Sequence, residues 1–463
     1  MKFSVERDAL GEAVSFVARV LPTRPVVPVL SGLLLEAEGE HLTLSCFDYE
    51  VSARIVVPAQ VGEPGTALVP GRLLAEITRS LPPAGIEVTT AAGMVLLTCG
   101  SAEFALVALP LEEYPALPEL PAAVGVVDGG ALATAAAQVV PSASRDDTLP
   151  MLTGVCLDFD GQALTLAATD RYRLAVRTVT WEPADPAVRA SALVPARTLA
   201  DVARTMGPGR PVTIAFGRSD QEGSRPVDGM ISFEGGGRRL TARLIGAEFI
   251  RYQSRFPASF EATAELAAGP FIEAVRRVSL VADRVTPVQL AFRRDVLVIE
   301  AQSDGRARAV ESVPAAFAGP SQTISFNPHY LLDGIAAAAL SGQGRPSSAT
   351  DGDAAAVSDA GRIRLQFTSP AKPALISWID GDATAGASED DPVGPSAAQP
   401  DRNGAAHASL GPGPLGSPDG AKTGSAEEAA EADAGLADTV DARLADTAAF
   451  RYLVVPLRVP TAG

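Results

Sequence analysis

Apolar residues at Leu10, Ala13, Val14, Val17 and Leu21 recur at helical spacing, which predicts an amphipathic helix near the start of the chain. Alternation then takes over, and Leu33–Ala37 with Leu42–Cys46 read as strands joined by a tight turn at Glu38-Gly39. Helical spacing returns from about Gly71 to Leu81, just after a Val-Pro; proline near a first helical turn is tolerated because no amide donor is needed there. Strands at Ile86–Thr90 and Val95–Cys99 close the pattern, and the same text then begins again. Pro28-Val29-Leu30-Ser31-Gly32 through Leu42-Thr43-Leu44 to Asp48 matches Pro150-Met151-Leu152-Thr153-Gly154 through Leu164-Thr165-Leu166 to Asp170 without a gap, at an offset of 122 residues. Ala67-Leu68-Val69-Pro70-Gly71-Arg72 likewise matches Ala192-Leu193-Val194-Pro195-Ala196-Arg197. The second copy predicts an opening helix over Ala131–Val140, a hairpin turn at Asp160-Gly161, a helix from Ala196 to Met206, and strands Val212–Phe216 and Met230–Glu234. A fainter third copy runs from about Phe271, through Pro287-Val288-Gln289-Leu290 and Leu297 to Asp304, to Phe326-Asn327 and Leu331.

A unit this long is a domain, since solenoid repeats run to roughly 20–50 residues. The expected architecture is α+β: three similar domains, each with two helices packed on one face of antiparallel sheet. Their expected bounds are 1–122, 123–258, and 259–380 with 448–463. Residues 381–447 differ in kind. They are Gly, Ala, Ser, Pro, Asp and Glu with few large apolar residues, a composition that predicts disorder apart from a short helix around Ala426–Asp433. The apolar pattern resumes at Phe450-Arg451-Tyr452-Leu453-Val454-Val455, so the acidic stretch reads as an insertion before a last strand.

Charge follows the same division. Of a net −17, the insertion carries −10, with thirteen acidic and three basic residues. The remaining chain is nearly balanced, and net charge does not exclude a local basic surface. The charged start, Met1-Lys2-Phe3-Ser4-Val5-Glu6-Arg7-Asp8, does not read as a signal peptide, and no run approaches the roughly 20 apolar residues of a membrane span. Cys46, Cys99 and Cys156 are widely spaced without a CxxC pair and read as buried reduced thiols, so a cytoplasmic protein without membrane partners is expected.

No catalytic constellation is visible. His41, His329 and His407 are scattered, no pair of them has metal-ligand spacing, and HExxH, P-loop and GxSxG motifs are missing. Gly235-Gly236-Gly237 lies between strand-like runs and reads as a hairpin, and Arg145-Asp146-Asp147 as a polar loop. No catalytic residue, metal ligand or cofactor is expected. The arginines are more telling. Arg72 and Arg79 are two helical turns apart on a face away from Leu74 and Ile77, Arg197 and Arg204 repeat that spacing, and Arg276 and Arg277 flank the apolar positions of the third opening helix. Glu76 and Asp201 offer local ion-pair partners, so each pair could be a solvated face. Their recurrence points instead to a shared basic lining that holds nucleic acid by phosphate, blind to sequence.

Ala168-Thr169-Asp170-Arg171-Tyr172-Arg173-Leu174-Ala175-Val176, set in a threefold repeat, resembles the bacterial DNA polymerase III beta subunit, the sliding clamp family, with an actinobacterial-type paralogue as the expected subtype. Arg24-Pro25, Phe326-Asn327-Pro328-His329-Tyr330-Leu331 and the run from Tyr452 to Arg458 support the resemblance. It implies a non-catalytic processivity factor: a head-to-tail homodimeric ring around duplex DNA, serving the polymerase III alpha subunit, the clamp loader and other clients. It implies that Arg24 and Arg72 approach DNA, and that Phe104 and Leu106 of one copy meet Leu280 of the other in the ring seam. It also implies a client-peptide groove built from Leu152, Thr169, Arg171, Tyr172, Arg173, Leu174, Pro257, Asn327, Tyr330, Leu453, Val454, Val455, Pro456, Leu457 and Arg458. Val455 and Leu457 stand where the family usually has methionine, and the chain continues to Gly463. These departures, with an acidic insertion expected to hang near the groove, favour an auxiliary clamp as the alternative. An enzyme with an active site between repeats is a third, weaker reading.

Overall fold

The computed structural model describes residues 1–118, 122–207, 209–217, 229–282, 286–303, 306–342, 361–379 and 450–457. All of them belong to one compact unit, Met1–Asp380 with Ala449–Gly463. The expected helix at Ala426–Asp433, the disorder of the insertion, and Arg458 lie outside the described residues.

The repeat is carried through element by element. The first module runs β1 (Lys2–Val5), α1 (Arg7–Ala18), β2 (Gly32–Glu38), β3 (His41–Phe47), β4 (Val51–Pro58), β5 (Gln60–Glu63), β6 (Gly65–Pro70), α2 (Gly71–Ser80), β7 (Ile86–Ala91), β8 (Met94–Cys99) and β9 (Ala102–Val107). The second runs β10 (Ala123–Asp128), α3 (Gly129–Val139), β11 (Gly154–Asp160), β12 (Ala163–Thr169), β13 (Arg173–Thr180), β14 (Glu182–Pro183), β15 (Arg189–Pro195), α4 (Ala196–Thr205), β16 (Pro211–Phe216), β17 (Met230–Gly235) and β18 (Arg238–Arg243). The third runs β19 (Ala262–Ala267), α5 (Ala268–Ser279), β20 (Val288–Arg293), β21 (Val296–Ser303), β22 (Ala307–Pro314), β23 (Ala316–Ala318), β24 (Gln322–Phe326), α6 (Pro328–Ala339), β25 (Arg362–Phe367), β26 (Ala374–Ile379) and β27 (Phe450–Val454).

Where one sheet per domain is expected, each module builds two, and both types are antiparallel. The five-stranded type is ordered β5-β1-β7-β8-β9, and the four-stranded type β6-β2-β3-β4. Neighbouring modules fuse them. β4 of the first module pairs with β18 of the second, and β13 of the second with β27 of the third, giving two nine-stranded sheets. The last strand, far along the chain, therefore sits inside a sheet between β13 and β26. What remains unfused is the five-stranded sheet of the first module, ending at β9, and the four-stranded sheet of the third, ending at β22.

The local chemistry explains the elements. Asp48 and Asp170, identical across the repeat, each accept two backbone amides through one carboxylate oxygen, from Glu50 and Val51 and from Tyr172 and Arg173. Each thereby holds the next residue, Tyr49 or Arg171, at a positive φ of 74° or 80°. Gly236 and Gly237 close the β17–β18 hairpin at φ 61° and 75°, where a side chain would strain. Asp146 accepts from the Thr148 amide and hydroxyl, so the Arg145-Asp146-Asp147 run is a turn. Helices α1 and α2 share one core with both sheets of the first module, while the cores of modules two and three merge into one. All three cysteines are buried, and burial pushes the Cys46 thiol up to about 12, which keeps it protonated and inert.

Candidate functional site at the module joints

The helix arginines are exposed, but their partners differ. Arg72 donates to the carbonyls of Leu21 (3.5 Å) and Pro22 (3.1 Å), bracing the loop that carries exposed Arg24. Arg79 stands exposed in the last turn of α2. Arg204 pairs with Asp201 at 3.3 Å; burial raises the Asp201 carboxyl pKa while Arg204, Arg197 and Arg19 pull it down. Arg19, at the end of α1, is thus a member of this basic group that the spacing argument missed. Arg276 pairs with Glu273 at 2.7 Å, and Arg277 grips Glu311 with two nitrogens at 2.6 and 3.1 Å. That grip keeps the Glu311 carboxyl below its ordinary range and partly spends the charge of Arg277.

The joint between modules two and three brings most of the expected groove residues together. Its core is the strand pair in which Leu174 lies opposite Leu453 and Arg173 opposite Val454. Leu174 and Leu453 are buried in one cluster as a floor and Leu152 is buried too, whereas Tyr172, Val455 and Leu457 are exposed. The Tyr172 and Tyr330 rings stack with centroids 6.0 Å apart. Val455 donates its amide to the Tyr172 carbonyl at 2.8 Å, and Leu457 to Ser325 at 2.7 Å, which places Pro456 between two fixed amides. Asn327 caps α6 by accepting from the amides of His329 (2.9 Å) and Tyr330 (3.3 Å).

Three expected groove residues make internal contacts of their own. Val454 is fully buried in the inner core, because strand alternation turns it away from Leu453. Thr169 is buried, its hydroxyl donating to the Arg173 carbonyl at 2.6 Å and accepting from the Arg171 amide at 3.2 Å. Arg173 is a clasp between modules. Its guanidinium meets Asp170 at 3.0 Å, Asp333 of α6 at 2.5 Å and the Pro141 carbonyl, and lies 4.6 Å from the Tyr330 ring centre. Arg171 is exposed at the turn, and Pro257 is half-buried on the segment between the modules.

That segment was missed. Ile245, Ala247, Phe249, Ile250, Tyr252, Phe256 and Phe260 pack with Leu174, Leu453, Cys156, Leu193 and Leu375 over the outer sheet face. The aromatic run from Phe249 to Phe260 was the available signal. The described residues that flank the insertion, Ile379 and Phe450, lie at the ends of β26 and β27 away from the Ala374–Val454 pair; the insertion, expected near the groove, lies outside the described residues.

At the unfused edges, Leu106 is 2% exposed and already belongs to its own module's core. Phe104 is half-buried, and the exposed apolar side chains are Val107 on β9, Val310 on β22 and Leu280 at the end of α5. No group of three His, Cys, Asp or Glu among the described residues could hold a metal ion, and no described helix is long and apolar enough to cross a membrane.

Family models for the N-terminal, central and C-terminal domains of the DNA polymerase III beta subunit match residues 1–118, 127–250 and 253–341. The chain belongs to the DNA polymerase III beta subunit family. It is 48% identical over 377 residues to the beta sliding clamp of Streptomyces coelicolor, covering 81% of this chain and 94% of that one. It is 44% identical over 335 residues to the beta sliding clamp homolog GriR of Streptomyces muensis, covering 72% and 88%. Its fold matches the sliding clamp of Pseudomonas aeruginosa bound to griselimycin with a TM-score of 0.74 at 21% identity, covering 99% of this chain and 100% of that one. The clamp is therefore a processivity factor and not a catalyst; DNA, a polymerase and a second copy of itself are its partners.

Proposed function

We propose that two copies close head to tail into a ring around duplex DNA by pairing β22 of one with β9 of the other. One observation carries this reading: the two fused sheets have nine strands each, and the sheets left open have five and four. An open edge is a template for another strand. The internal joints also supply a register. Val51 to Ile55 pair with Ala242 to Arg238, and Arg173 to Arg177 with Val454 to Phe450. Carried over by the repeat, Ala307 to Glu311 face Leu106 to Ala102 of the partner, so Val310 faces Glu103 of the partner subunit. Phe104 and Leu280 then flank the seam, and Leu106 supports it from within.

Arg24, Arg72, Arg79, Arg197, Arg204, Arg276 and Arg277 supply phosphate contacts inside the ring, with Arg19 added and Arg277 weakened by Glu311. Such contacts are salt-sensitive and do not read sequence, which suits a ring that must slide. The joint of modules two and three takes a client peptide from the polymerase III alpha subunit, the clamp loader or other proteins. Apolar anchors would sit over Leu174 and Leu453 beside Tyr172, Tyr330, Pro257, Val455 and Leu457. The module bounds are 1–122, 123–258 and 259–380 with 448–463, and the protein acts in the cytoplasm.

An auxiliary clamp with a narrower client range is the second reading, favoured by exposed, stiff Val455 and by Leu457 at the groove. Loading onto nicked circular DNA, then linearising it, tests the ring: retention on the circle and rapid loss from the line is expected. Equal retention on both would overturn encirclement.

A further inference from the structure

The segment between modules two and three is tied down at two points on opposite sides of the β13–β27 joint. Tyr252 donates its hydroxyl to Asp158 Oδ2 at 2.7 Å, on β11 of module two. The Arg451 guanidinium, on β27 of module three, lies 4.3 Å from the centre of the Phe256 ring. Pro257, a proposed groove residue, follows Phe256 directly, and Tyr252 and Phe256 pack in the same cluster as the floor residues Leu174 and Leu453. Asp158 is itself oriented, with its Oδ1 3.3 Å from the Cys156 thiol, which lies 3.2 Å from the Ser191 hydroxyl. Burial, with the Asp158 charge beside it, holds the Tyr252 phenol well above the ordinary tyrosine range, so it remains a donor at neutral pH.

We propose that the Tyr252–Asp158 bond and the Arg451–Phe256 contact are positioning interactions that fix the linker wall of the client groove, and so set how tightly a peptide is held. The inference rests on the peptide-groove reading above. A wall already in place spares the peptide the cost of ordering it, and that saving appears mainly in the dissociation rate. Because the ties reach one strand in each module, the wall tracks the relation of the two modules and not either one alone.

The test uses the full-length protein and a fluorescent peptide spanning the clamp-binding segment of the polymerase III alpha subunit. Tyr252→Phe and Asp158→Ala each raise Kd about fivefold, chiefly through faster release, the scale of one lost hydrogen bond. The double variant is no weaker than either single one, as expected of partners in one bond. Asp158→Asn, which keeps an acceptor oxygen, binds like the parent. A tie that served stability alone would lower the melting temperature and leave Kd and release rate at parental values, and that result overturns the proposal. Should Tyr252→Phe fail to fold, the contrast between Asp158→Ala and Asp158→Asn decides the matter alone. A parent protein that ignores the peptide, while Leu174→Ala changes nothing, overturns the groove reading and this inference with it.

Discussion

The two joints inside the chain share one backbone plan and carry opposite chemistry. At the joint of modules one and two, Ser52 faces Thr241, whose hydroxyl reaches Ser232 at 3.1 Å. At the joint of modules two and three the equivalent pair is Leu174 and Leu453, with Leu375 in the place of Ser232. Ser45 and Arg54 likewise correspond to Ala167 and Val176. The interiors differ in the same sense. Arg238 bridges the first joint by an ion pair to Glu12, a bond to the Thr205 carbonyl and a place 5.8 Å from the Phe16 ring, between two separate cores. One continuous apolar core spans the second. Strand pairing therefore builds the joint, and the side chains on its outer face decide whether it offers an apolar floor. At the open edges the corresponding positions are Arg308 and Ala105.

The largest expected effect breaks the plan at the open edge. Val310→Glu would set a carboxylate against Glu103 of the partner subunit, and like charges directly opposite in a sheet are destabilising. A shift from dimer to monomer in sedimentation velocity at micromolar protein is expected, with loss of retention on circular DNA. Val310→Lys should keep the dimer. The reverse order of these two variants would refute the register copied from the internal joints.

Next in size is the exchange of one joint's chemistry for the other's. Leu174→Ser with Leu453→Thr gives the second joint the outer pair of the first. Client-peptide affinity should fall more than about 100-fold, roughly 3 kcal/mol, while the dimer persists. Leu174→Ala alone should cost about tenfold in calorimetric titration. A double variant that still binds the peptide would show that the floor is not what distinguishes the joints.

Much of this plan was legible in the sequence, for a physical reason. Elements built from local rules were readable: the amphipathic stripe of α1, the Val-Pro entries to α2 and α4, and the Glu38-Gly39 and Asp160-Gly161 turns all follow from nearby residues. The return of the chain at Phe450 was readable because an apolar run needs a sheet to bury it. Pairings across modules were not. No local pattern says that β18 joins β4, or that each module makes two sheets, since partners are fixed by burial of distant faces. Direction was lost too: Val454 and Leu453 are equally apolar, and only the strand's phase sends one inward. The clasp made by Arg173 could not be read from its neighbours alone, because Asp333, which pairs with it, is 160 residues away.

The smallest expected effect separates the two linkers. Tyr114 plays at the first joint a part like that of Tyr252 at the second, packing beside Leu109 on Val29, Leu30, Leu34 and Leu68. Its bond differs in kind, because the Phe47 amide donates to the Tyr114 oxygen at 2.7 Å and ties the linker to a strand backbone within the same module. Burial again raises the phenol pKa, so the group stays neutral. Tyr114→Phe leaves that amide without its acceptor, a loss of about 1 kcal/mol and a melting temperature lower by about 2–4 °C in a scanning measurement. The bond lies within module one and not at the joint of modules two and three, so peptide affinity should stay at the parental value. A peptide affinity that fell as far as with Tyr252→Phe would mean that both linkers act through general stability, and the contrast between the joints would reduce to the floor alone.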